Sequence, residues 1–168
     1  MKPTNQNLAI IALGSNLGDS RKIILQAMDR LKELSNASLL KSSLWESAPV
    51  NCPPGSPNFV NAVVASLPQK NETPETLLEK LQALEKEFGR QPKTIQNEPR
   101  PLDLDLIAFG LETRNSKHLT LPHPRAAERE FVLRPLNEIT PDFILPGQSK
   151  TVAELFDSLS TKELKPLA

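Results

Sequence analysis

Cysteine is nearly absent from this 168-residue chain. Cys52 stands alone, which excludes an internal disulfide framework and any cysteine-rich zinc module. Net charge is absent too, because 20 Lys and Arg cancel 20 Asp and Glu. A general duplex-binding protein needs a net basic face, so the charge balance argues against that class. Aromatics make up only 4% of the residues, and no RNP-type Lys/Arg-Gly-Phe-Gly-Phe pattern occurs, which argues against a single-strand RNA module. Glycine is scarce at 6 and proline plentiful at 16, so the loops are expected to be stiff. The apolar run Leu8 to Leu13 is too short for a signal h-region or a membrane span, which makes a cytoplasmic chain the expectation. There is no internal repeat and no low-complexity tract. With 38% hydrophobic and 24% charged residues, the length suits one globular domain over residues 1–168, expected to be a monomer.

What is present reads as a mixed order of strands and helices. Leu8 to Leu13 predicts a buried central strand, broken by Gly14-Ser15-Asn16-Leu17-Gly18-Asp19. Asp19 or Ser20 can cap a helix with Ile23, Ile24, Ala27, Met28, Leu31 and Leu34 on its apolar stripe. Ser38 to Glu46 predicts a second strand, and the proline-rich stretch Ala48 to Asn58 forbids regular structure. Phe59 to Leu67 alternates as a third strand, with Phe59, Asn61 and Val63 on one face. Thr73-Pro74 opens a helix whose stripe is Leu77, Leu81, Leu84 and Phe88, and Gly89 closes it. Leu102 to Phe109 is a fourth strand, followed by a hairpin around Arg114-Asn115-Ser116 and helical segments at 126–139 and 152–159. The order predicts an α+β fold with a ferredoxin-like βαββαβ core. Its four-stranded sheet would carry helices on one face, with the C-terminal hairpin and helices added. The other face would be open for a site.

The sharpest chemical pattern is Leu102-Asp103-Leu104-Asp105-Leu106. Residues two apart on a strand share a face, so Asp103 and Asp105 stand together while the leucines enter the core. Two adjacent carboxylates repel unless a cation compensates them, and magnesium carrying nucleotide phosphates meets that need. The same pattern also describes a plain polar strand face opposite a leucine face. Arg90, Lys93, Arg100, His123, Arg125, Arg129 and Arg134 surround the strand, a sorting of charge that suits a magnesium polyphosphate. Taken singly, each arginine reads equally as half of a surface ion pair. His123 is held between Pro122 and Pro124, which favours a fixed phosphate or proton contact, whereas His118 carries no assigned role. Gln82 and Glu85 share one edge of their helix beside the leucine stripe. The Gly14-to-Asp19 turn lacks both the Walker A ending and a G-x-G-x-x-G spacing, so it reads as a tight turn with a helix cap.

These pieces occur in a telling order: Leu13-Gly14-Ser15-Asn16, Ser47-Ala48-Pro49, Phe59-Val60-Asn61-Ala62, then Pro99-Arg100-Pro101-Leu102-Asp103-Leu104-Asp105. Leu121-Pro122-His123-Pro124-Arg125 and Glu128-Arg129-Glu130-Phe131-Val132-Leu133 complete the set. From about Leu8 to Phe143 the chain closely resembles the 6-hydroxymethyl-7,8-dihydropterin pyrophosphokinases of folate biosynthesis. The resemblance implies transfer of pyrophosphate from ATP to the pterin hydroxymethyl oxygen, with AMP released. It implies that Asp103 and Asp105 hold two magnesium ions and that Arg90 and Arg100 act with them in catalysis. Gln82, Glu85, Arg90, Arg100, His123 and Arg129 are the implied ATP contacts. Phe59 and Phe131 would sandwich the pterin ring, Asn61 would read its edge, and Ser47, Ala48 and Val50 would line it. Two small-molecule substrates are therefore the expected partners, with no nucleic acid and no membrane.

One stretch departs from the family pattern. Gln91 to Glu98 puts Asn97 where some members carry a tryptophan, and Pro92 and Gln96 where arginines can occur. That departure motivates an alternative: a catalytically weak pterin- or nucleotide-binding protein of the same fold.

Overall fold

The computed structural model describes residues 7–48, 53–89 and 100–167. Strand β1 (Ala9–Ser15) is the centre of an antiparallel sheet, and its apolar character on both faces has a direct cause. Ala9, Ile11 and Leu13 join one core cluster, while Leu8, Ile10 and Ala12 join another. Each fully buried leucine or isoleucine contributes about 1.5–3 kcal/mol relative to an exposed one, so a strand with two covered faces is well specified. Helix α1 (Ser20–Lys32) follows, its start fixed by Asp19, which accepts the Lys22 amide N–H. Ile24, Ala27, Met28 and Leu31 are its buried stripe.

Strands β2 (Leu40–Lys41) and β3 (Trp45–Ser47) both pair with β4 (Phe59–Ser66). The sequence predicts one continuous strand here, and the structure corrects that reading. Lys41 lies opposite Val64 and Trp45 opposite Asn61, so the three residues 42–44 face only two, 62 and 63. That is a bulge, and Ser42 holds it. Its amide donates to the Val63 carbonyl at 3.0 Å, and its hydroxyl accepts the Val63 amide at 2.9 Å. The extra residue turns Trp45 onto the face that carries Asn61.

Helix α2 (Pro74–Glu87) begins as expected, with Thr73 as N-cap, a reciprocal bond to Thr76, and Pro74 in the first turn. Leu77, Leu81 and Leu84 are buried, and Gly89 closes the helix at a φ of 98°. Strand β5 (Asp103–Phe109) pairs with β1 on the side away from β4. A short hairpin of β6 (Arg114–Asn115) and β7 (Thr120–Leu121) follows. The helical segment anticipated over 126–139 is divided. A 3-10 turn (Ala126–Glu128) and helix α3 (Glu130–Ile139) are separated by Arg129 in extended backbone. Helix α4 (Val152–Asp157) and strand β8 (Lys165–Pro166) complete the described chain.

Among the described residues the sheet has six strands, not four. Its order is β5-β1-β4-β3-β8, with β2 pairing β4 beside β3. The gain comes from the bulge, which divides the second strand, and from β8, which pairs with β3 at the far edge. Nor is the second face open, as the sequence predicts. Helices α1 and α2 pack on Ile11, Leu13, Val60, Ala62, Val64 and Leu104. Val132, Leu133 and Leu136 of α3, with Val152 of α4, cover Ile10, Ala12, Val63 and Ala65 on the other side. Among the described residues no helix is long and apolar enough to cross a membrane.

Candidate active site

The α3 face of the sheet is left open at one end, where strand register lines up polar side chains. Asp103 on β5 lies opposite Gly14 on β1, and Gly14 lies opposite Asn61 on β4. One step further along, Asp105 lies opposite Ala12. The neighbouring leucines 102, 104 and 106 are buried in the opposite core, so both aspartates project to the α3 side, as their spacing predicts. Gly14 forms the floor between them and Asn61. A Cβ there would sit 3.6 Å from Phe59 Cδ1 and 3.9 Å from Asn61 Oδ1, so glycine keeps the space above β1 clear.

The two carboxylates are held differently. Asp103 Oδ1 lies 3.2 Å from the Arg100 guanidinium. Asp105 is recessed, and its pKa is pushed up to about 7 by burial, by the Asp103 charge and by the Glu85 charge. Arg129 and Arg100 oppose that rise without cancelling it. Glu85 is itself buried, and its carboxylate accepts the Leu104 amide at 2.8 Å. It therefore satisfies the outer edge of β5 between the two aspartates, where the helical pattern alone would leave it on a solvated face. Gln82 is exposed on the same helix edge, between Leu78 and Glu85.

The opposite side of the row is fixed by Asn61. Its amide nitrogen donates to Ser47 Oγ at 2.8 Å and to the Phe59 carbonyl at 3.5 Å, which leaves Oδ1 over Gly14. Ser47 thus orients the amide, and Ala48 follows it at the end of β3. Phe131, on the first turn of α3, packs partly against the α3-side core, with the Arg129 guanidinium 5.3 Å from its ring centre. The same guanidinium is near enough to Asp105 for its charge to lower that carboxyl's pKa. His123 is anchored by its amide, which donates to the Ile107 carbonyl at 2.8 Å. Its Nδ1 accepts the Arg125 amide at 3.3 Å, so in the neutral ring the proton sits on Nε2. Burial and the Arg129 charge hold its pKa below the usual histidine value, Asp103 opposes this, and Arg125 adds to it.

Asn16 is a residue to which the sequence gave a place in a turn and in the family pattern, but no role of its own. It is buried and satisfied in three directions. Its amide donates to the Arg100 carbonyl at 3.1 Å, and its Oδ1 accepts the Arg100 amide at 2.9 Å. Its Nδ2 donates to the Pro57 carbonyl at 3.4 Å, so one side chain joins the roots of two loops beside the site. A cavity of about 270 Å³, between α2, β5 and the β6–β7 hairpin, was also not foreseen. Leu78, Leu106 and Leu119 give it apolar walls, while Asp105, His123 and Thr120 give it polar ones. Lys117 and His118 line it as well, although His118 carried no role in the sequence. The helix edge through Leu78 was the available signal. Arg90, Val50, Lys93 and Asn97 lie outside the described residues. Among the described residues no three acidic, histidine or cysteine side chains cluster closely enough to hold a metal by themselves.

Comparison with known proteins gives first the fold and then the family. The crystal structure of wild-type Plasmodium falciparum HPPK-DHPS with pteroate matches with a TM-score of 0.69 at 15% identity. That match covers 90% of this chain and 42% of the other, and at this identity it speaks to the fold alone. The family model described as 7,8-dihydro-6-hydroxymethylpterin-pyrophosphokinase (HPPK) matches residues 10–141, and the chain belongs to this family. The 2-amino-4-hydroxy-6-hydroxymethyldihydropteridine pyrophosphokinase of Haemophilus influenzae is 39% identical, over 88% of this chain and 89% of that protein. Its Synechocystis counterpart is 34% identical over 95% and 80% respectively. The folic acid synthesis protein fol1 of Pneumocystis carinii is 40% identical over 94% of this chain, which spans only 21% of that longer protein.

Proposed function

We propose that this chain transfers the pyrophosphoryl group of ATP to the hydroxymethyl oxygen of 6-hydroxymethyl-7,8-dihydropterin, releasing AMP for folate biosynthesis. Family membership supports the activity, and one observation supports its location. The carboxylates of β5 and the amide and ring of β4 rise from one sheet face, on either side of Gly14. Two strand spacings separate Asp103 from Asn61, about 10 Å, a span that suits a phosphate chain meeting a bicyclic ring.

The donor set fits divalent cations. Asp105 remains undercompensated despite two nearby arginines, and the described side chains cannot enclose a metal without oxygens from elsewhere. Asp103 and Asp105 would hold two magnesium ions, sharing them with phosphate oxygens and water. When bound, the ions neutralise charge that develops on the transferring phosphates. Arg100 and Arg129 offer guanidinium forks to the same phosphates, as Arg90 does by resemblance. His123, neutral at pH 7 with its proton on Nε2, can donate one hydrogen bond to a phosphate oxygen. The cavity beside Leu78, Leu106 and Leu119 takes the nucleotide base, which leads the triphosphate toward Asp105. Gln82 and Glu85 stand on the helix edge next to it.

On the other side Phe59 and Phe131 clasp the pterin, whose flat ring gains from aromatic faces above and below. Asn61 offers a carbonyl oxygen to the ring edge because its amide hydrogens are directed at Ser47 Oγ and the Phe59 carbonyl. Ser47 and Ala48 stand at that end, and Val50 joins the ring contacts by resemblance alone. Among the described residues no side chain is assigned as a strong base, so positioning and electrostatics carry the rate in this reading. Protein incubated with ATP, magnesium and the hydroxymethyl-dihydropterin should release AMP and the pterin diphosphate. Finding ADP as the sole nucleotide product would refute the proposal.

A further inference from the structure

The family match ends at residue 141, yet the segment beyond it returns to both sides of the ring slot. Strand β8 pairs with β3, Pro166 opposite Trp45 and Lys165 opposite Glu46, and the Leu167 amide donates to the Leu44 carbonyl at 3.0 Å. Just before it, the amides of Glu163 and Leu164 donate to the carboxylate of Glu130, Leu164 at 3.2 Å. Glu130 is the first residue of α3 and stands between Arg129 and Phe131. Its side chain is only 13% exposed. A carboxylate at that position would ordinarily serve the amides of its own helix start, where Arg129 provides no side-chain cap. Here it is directed at the tail instead. Arg134 completes the junction, 2.9 Å from Glu130, with its guanidinium 5.0 Å from the Trp45 ring centre and 4.8 Å from that of Phe156.

We propose that residues 163–167 form a positioning strap for the pterin slot. They tie the start of α3, which carries Phe131, to β3, whose Ser47 orients Asn61, and so set the distance between the slot's two walls. The proposal rests on Phe59, Asn61 and Phe131 being the ring site. Slot width matters because dispersion contacts are steep: a gap of about 0.5–1 Å forfeits a quarter to a half of each contact's attraction. The strap lies at the β3 edge of the sheet, whereas the nucleotide cavity borders β5 at the opposite edge. Loosening the strap should therefore weaken pterin binding far more than ATP binding, which shares only Arg129 with the start of α3.

Steady-state kinetics with both substrates varied tests this on the full chain, in Glu130→Ala, Glu130→Gln, Leu167→Pro and Phe131→Ala. Glu130→Ala removes the acceptor, and Leu167→Pro removes a tail donor without touching α3. Each should raise the pterin KM about tenfold, the cost of a lost charge-assisted or ladder bond, while the ATP KM, which feels the start of α3 only through Arg129, rises no more than about threefold. Glu130→Gln keeps an oxygen for the tail amides and should rescue the pterin KM. If Phe131→Ala raises the pterin KM but neither strap variant does, the strap is wrong and the ring slot stands. Equal rises in both KM values, or a lower melting temperature with no pterin-specific change, would reduce the tail to a structural prop and overturn the inference. An active Phe131→Ala with an unchanged pterin KM would sink the ring slot, and the strap with it.

Discussion

At the scale of single residues, Asp105 is where stability and the proposed chemistry pull in opposite directions. In an unfolded chain its carboxyl ionises near 3.8, whereas in the fold it does so near 7. Between those values the folded chain holds a proton that the unfolded chain has lost, so this group's contribution to stability falls as pH rises through that window. Above it the full cost is present. Asp105→Asn is therefore expected to stabilise the protein at pH 8 by about 1–3 kcal/mol, discounted from the roughly 4 kcal/mol that the shift implies because the site is not sealed. Thermal unfolding should show the gain shrinking toward pH 4. The same variant should lose pyrophosphoryl transfer by at least about a hundredfold, because a neutral amide cannot share a magnesium ion with phosphate in the same way. The shared face of Asp103 and Asp105 was legible from their spacing alone. Glu85 was only half legible: its helix edge could be read, but its burial against the Leu104 amide needs the neighbouring strand.

At the scale of elements, local signals placed most boundaries well. Thr73-Pro74 and Gly89 bracket α2, and Asp19 opens α1, because capping chemistry acts within a few residues. The failure at 42–44 has the opposite cause. A bulge is a relation between two strands, and nothing in Ser42-Ser43-Leu44 states that Val63 will bond twice to one serine. Ser42→Ala removes the hydroxyl that accepts the buried Val63 amide, leaving that donor unsatisfied at a cost of about 1–3 kcal/mol. Denaturant unfolding should report that loss. Weakening of the bulge should also raise the pterin KM more than the ATP KM, since Trp45 and Ser47 follow it on β3. The division between the 3-10 turn and α3 is likewise tertiary. Arg129 is pulled into extended backbone between them, which sets its guanidinium against Phe131.

For the whole molecule, the proposed function has the two substrates meet across the sheet, the nucleotide from the β5 edge and the pterin from the β4 side. Binding should then couple to global stability. Magnesium-ATP at a hundred times its Kd is expected to add about 2.7 kcal/mol to the unfolding free energy. Excess EDTA should abolish both that gain and AMP release, with added magnesium restoring each. A melting temperature indifferent to magnesium in the presence of ATP would contradict the assignment of Asp103 and Asp105.

Patterns that act along the chain were settled by the amino-acid order: which segments are strands and helices, which faces are apolar, which carboxylates share a side. These depend on backbone periodicity and on caps within a turn of their partners. Folding in three dimensions alone decided the six-stranded sheet, the bulge under Trp45, the three bonds of Asn16 and the return of residues 163–167 to Glu130. Each of those joins residues far apart in sequence, and a hydrogen bond across such a distance leaves no periodic trace in either segment it connects.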